Sequence, residues 1–139
     1  MQYSLMNNEV FKHMVCSDMM VNINLVDSII TNKNADKIKI YCEYGIVTNT
    51  LIEILLEKYD KYNLSHFVKK INLLSEKIIN LLVKNKRIDY IQLIKSKFKH
   101  SMINILLEYS ILNDFQYGID FALNESADYI LVLDKIRKR

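Results

Sequence analysis

The sequence predicts an all-α protein, and three observations carry the prediction. Proline is absent, glycine occurs only at Gly45 and Gly118, and apolar residues recur three and four positions apart along most of the chain. A sandwich or barrel needs many tight turns, and this chain lacks the residues that make them. Apolar spacing of three and four is the signature of amphipathic helices.

The first helix is expected after Asn7 or Asn8 as N-cap, with Glu9 in its first turn and Phe11, Met14 and Val15 on its apolar face. A second, shorter helix holds Ile23, Val26, Ile29 and Ile30. A third runs from about Ala35 to Tyr44, where Gly45 offers a left-handed stop. Thr50 and Glu53 have the spacing of a capping box and open a fourth helix carrying Leu51, Ile54, Leu55 and Tyr59. Asn63 or Ser65 caps an apolar stretch from Phe67 to Leu82, read as one helix or as two with a break near Ser75. The remaining helices cover about Ile88 to Phe98, Met102 to Leu112, Phe115 to Leu123 and Ala127 to Ile136. Connections this short force neighbouring helices to pack antiparallel.

At 139 residues the chain is expected to form a single domain, and its half-hydrophobic, quarter-charged composition is that of a globular protein. Two cysteines, Cys16 and Cys42, are too few for a disulfide scaffold, which points to a reducing, intracellular setting. The longest apolar runs fall far short of the roughly 20 residues that span a bilayer. Isoleucine, lysine and asparagine make up more than a third of the chain, a bias similar to that of proteins from AT-rich genomes, including those of large DNA viruses.

One motif recurs. Asn32 and Asp36, Asn85 and Asp89, and Asn124 and Asp128 each stand four apart, each Asp is followed two residues later by Ile (Ile38, Ile91, Ile130), and each copy lies between two helical patterns. Asn tolerates the left-handed conformation that closes a helix, and an Asp at the next helix start meets free backbone donors and the positive end of the dipole. The motif is therefore read as a structural turn, giving antiparallel helical hairpins stacked as a short repeat, with a compact bundle as the alternative.

In these segments, and most closely in "FALNESADYILVLDKI", the chain resembles the degenerate ankyrin-type repeats of large DNA viruses. The resemblance covers about half of the chain and implies protein binding. The copies depart from that family in lacking a Thr-Pro-Leu-His segment and the turn glycine. The Asp residues lie 53 and 39 positions apart, against roughly 33 for ankyrin. In length and helical content the chain is also similar to viral Bcl-2-like bundles, which implies a groove for an amphipathic helix. No tryptophan is present to supply that family's Asn-Trp-Gly-Arg-type segment.

No catalytic signature is present. His13 and Cys16, three apart on one helix, could join Cys42 and His66 around zinc, but no Cys-x-x-Cys pair accompanies them, and free Cys is often a small core residue. Two isolated glycines cannot form a phosphate-binding loop. The expectation is no enzyme, no metal and no cofactor.

Charge is more telling than its total of +3. Residues 61–100 carry ten basic and two acidic side chains, whereas 101–134 carry six acidic and none basic. Lys84, Lys86, Arg87, Lys95, Lys97 and Lys99 are the candidate contact surface for a partner protein. Nucleic-acid binding through the same residues is the second candidate function, and self-assembly, basic middle against a neighbour's acidic segment, the third.

Overall fold

The computed structural model describes residues 3–139. Among them every regular element is helical: α1 Asn8–Ser17, α2 Ile23–Thr31, α3 Ala35–Tyr44, α4 Asn49–Lys58, α5 Ser65–Val68, α6 Glu76–Lys84, α7 Ile88–Ile94, α8 His100–Leu112, α9 Gln116–Asn124 and α10 Tyr129–Arg137. Short 3-10 turns stand at Tyr3–Leu5 and Lys95–Lys97. The chain divides into two compact units, Met1–Lys70 and Ile71–Arg139.

In the first unit α3 is the hub, with α1, α2 and α5 packed against it. Its core is built from Phe11 and Val15 of α1, Leu25, Val26, Ile29 and Ile30 of α2, Ile38 and Tyr41 of α3, and Phe67 and Val68 of α5. Asn7 caps α1, its Oδ1 accepting from the Glu9 amide at 2.7 Å, as the sequence suggests. Lys37 is buried in this unit, where its ammonium donates to Asn8 Oδ1 at 2.9 Å and lies 5.7 Å from the Phe11 ring centre. A buried charge needs such partners to offset its lost hydration.

Two expectations for this unit are corrected. The cap of α4 is Thr48, whose hydroxyl accepts from the Leu51 amide at 3.1 Å, and Thr50 lies inside the helix, so Thr50 and Glu53 form no capping box. With that shift the buried stripe becomes Leu51, Ile52, Leu55 and Leu56, while Ile54 is 40% exposed. Gly45 ends α3 in an extended conformation, φ −92° and ψ 176°, not a left-handed one. Its lack of a side chain matters for space, since a Cβ there would stand 2.7 Å from the Tyr41 carbonyl oxygen.

The second unit is arranged around α8, which packs against α6, α9 and α10. The stretch that could have been one helix is two, α5 and α6. Ser75 is the N-cap of α6, with Oγ accepting from Ile78 N at 3.1 Å. The buried stripe of α6, Ile78, Ile79, Leu82 and Val83, follows helical periodicity. Gly118 lets α9 approach α8 closely, for a Cβ at that position would fall 2.0 Å from Ser110 Oγ and 2.9 Å from Phe115 Cδ2. Glu108 of α8 is buried and its carboxylate is paired with Lys135, at 3.2 Å, and with Arg139. Lys135 and Arg139 thus neutralise a core carboxylate in a segment, 101–134, that has no basic residue of its own.

Candidate functional site

The recurring Asn-led segments are helix stops of one geometry. In the first, the Lys33 amide donates to Ile30 O at 3.0 Å and the Asn34 amide to Ile29 O at 3.1 Å; in the second, Lys86 N reaches Val83 O at 3.0 Å and Arg87 N reaches Leu82 O at 2.9 Å. These are the paired bonds of a Schellman motif. The left-handed residue is the lysine after the asparagine, with φ 53° at Lys33 and 52° at Lys86. Asn32 is itself right-handed, which corrects the expectation that Asn supplies the left-handed turn.

What Asn contributes is its carboxamide. Nδ2 of Asn32 donates to Ser28 O at 2.7 Å and Nδ2 of Asn85 to Leu81 O at 3.0 Å, each adding a second bond to the carbonyl that already accepts that asparagine's own amide. The same arrangement closes α8, where Asn113 Nδ2 donates to Tyr109 O at 2.8 Å and Asp114 is left-handed at φ 52°. The sequence marks a helix end at Leu112, but not this turn's kinship with the other copies, because Tyr117 stands where they have Asp. The third aligned segment is displaced by one residue: Asn124 is still helical, Glu125 is the C-cap and Ser126 is left-handed at φ 67°. Asp128 there is a true N-cap, accepting from Leu131 N at 3.1 Å, whereas Asp36 and Asp89 lie inside their helices.

The six basic candidates separate into two roles. Arg87 grips Asp89 through two bonds, Nε to Oδ1 at 3.0 Å and Nη2 to Oδ2 at 2.8 Å, with its guanidinium 3.8 Å from the Tyr90 ring centre. Those hydrogen bonds hold the Asp89 carboxyl below its ordinary range. Lys97 turns inward and donates from Nζ to the Ile71 carbonyl. Lys84, Lys86, Lys95 and Lys99 are exposed.

These four do not form one tight cluster. Lys84 and Lys86 sit at the turn before α7, and Lys95 and Lys99 follow its other end, about 10 Å further along a helix of this length. Between the pairs α7 exposes Ile88 and Leu93, each 41% accessible, while Tyr90, Ile91 and Ile94 face the core.

The zinc candidates do not form a metal-binding group. No group of three or more His, Cys, Asp or Glu side chains that could hold a metal ion occurs among the described residues. Cys16 is exposed and Cys42 buried, and burial pushes the Cys42 thiol up to about 12, so it stays protonated and unreactive at neutral pH. No helix among the described residues is long and apolar enough to cross a membrane. Comparison with family models, curated proteins and solved structures finds no match to the chain.

Proposed function

We propose that this chain is a non-enzymatic interaction module that binds another protein through the α6–α7 hairpin and the segment leading into α8. The observation that carries the reading is the concentration of exposed groups on this hairpin: Lys84 and Lys86 before α7, Ile88 and Leu93 along it, and Lys95 and Lys99 after it. Apolar side chains exposed among charged ones give a partner protein surface to bury as well as charges to pair. Arg87 and Lys97 act inside the scaffold, shaping the turn and anchoring the segment at Ile71. Descent from degenerate ankyrin-type hairpin repeats of viral origin, acting inside a host cell, is part of this proposal, and the repeated helix-stop geometry supports it.

Nucleic-acid binding is the competing use of the same lysines. Fluorescence anisotropy with an unrelated duplex DNA and a single-stranded RNA separates the two. The proposal expects no saturable binding at about 150 mM salt, because four lysines spread over both ends of α7 release few counterions. Tight binding that weakens steeply with salt, and that is lost when the four lysines are changed to Glu, would overturn it.

A further inference from the structure

The first unit carries a cleft of about 400 Å³ between the α2–α3 turn and the loop joining α4 to α5. Its base is apolar, formed by buried Ile30 and Ile38, and the basic groups lining it are Lys33, Lys61 and His66. No carboxylate lines it. This local charge is not a by-product of composition, since residues 1–70 hold eight basic and eight acidic side chains.

The loop that supplies Lys61 is held in place. Tyr59 Oη donates to Asp27 Oδ1 of α2 at 2.6 Å, Lys58 pairs with the other oxygen of Asp27 at 3.3 Å, and Tyr62 lies edge-on to Tyr59 with ring centres 5.4 Å apart. On the opposite wall, Lys33 occupies the left-handed position of its Schellman turn, where Gly would be less strained. The cations therefore face the cleft from two anchored walls, at a volume within the range of pockets that take a ligand group.

We infer that this cleft receives an acidic-apolar peptide segment of a partner protein, one aromatic or aliphatic side chain on Ile30 and Ile38 with flanking carboxylates on Lys33, Lys61 and His66. A peptide fits better than a free small molecule because Lys33, Ala35, Lys61 and Asn63 are all exposed. A ligand there stays open to solvent on one side, as a chain that continues past the cleft must. The inference rests on the reading of the protein as an interaction module, but not on the basic face of the second unit.

The test uses the full chain and a fluorescein-labelled peptide with one phenylalanine between two pairs of aspartates. Saturable binding is expected below about 100 μM, with amide shifts in an NMR titration centred on Lys33, Ile38, Lys61 and His66. Lys33→Gly is the decisive variant: it relieves the left-handed strain, so the melting temperature should rise while affinity falls about threefold, and Lys33→Gly with Lys61→Gln should weaken binding about tenfold. A peptide with lysines in place of the aspartates should not bind. Unchanged affinity in the double variant, or equal binding of the lysine peptide, overturns the inference. Binding of phenyl phosphate but not of the peptide would assign the cleft to a small anion and overturn it as well. Shifts confined to Lys84–Lys99 would overturn it while leaving the proposed function standing.

Discussion

Lys33, Lys86, Asp114 and Ser126 all occupy a backbone region that favours glycine, and each is held there by two hydrogen bonds that close a helix. Because a side chain in this region is strained, Lys86→Gly is expected to stabilise the protein by about 1 kcal/mol, roughly 3–5 °C in a thermal melt, and Lys86→Val to destabilise it. A melt in which Gly lowers the midpoint would mean that the lysine side chain itself holds the turn. Cysteine chemistry gives a second check at this scale. An aromatic disulfide reagent at pH 8 should modify Cys16 within minutes and leave Cys42 untouched until the first unit unfolds, since burial keeps the Cys42 thiol protonated. Rapid modification of both in the native protein would contradict the packing around α3.

Helix existence was legible in the sequence because apolar spacing reports directly on which face is buried, as the stripes of α2 and α6 show. Helix ends were less so. The start of α4 was placed two residues late, since Thr48 and Thr50 both offer a capping hydroxyl and only packing decides that Leu51, Ile52, Leu55 and Leu56 face inward. The helix end at Leu112 was legible, but the kinship of its Asn113 turn with the Asn-led segments was not, because the geometry needs only the Asn and a tolerant next residue, not the Asp that defined the motif. How closely two helices approach is also invisible in sequence. Gly118 against Ser110 sets it for α8 and α9, and Gly118→Ala should cost about 2 kcal/mol in chemical denaturation because the new methyl group overlaps Ser110 Oγ. Ser110→Gly in the same chain should recover part of the loss, with the Phe115 contact accounting for the remainder. Full stability in Gly118→Ala alone would show that the two helices separate at little cost.

For the whole molecule, charge distribution was legible as a basic middle, but the use made of each charge was not. Ten basic residues between 61 and 100 read as one surface, yet Arg87 and Lys97 are consumed by contacts within the fold, with Asp89 and Ile71 as their partners. Lys135 and Arg139 turn out to serve Glu108. The cleft of the first unit was missed altogether, because Lys33, Lys61 and His66 are brought together by the fold and share no local pattern. Lys84, Lys86, Lys95 and Lys99 are the surface proposed to bind a partner protein. Affinity capture from the native cell after nuclease treatment, quantified by mass spectrometry, compares the wild-type chain with one carrying all four lysines as Glu and shown by circular dichroism to be folded. Specific loss of one protein from the variant's captured set is the predicted result, and identical sets from the two chains would contradict the account.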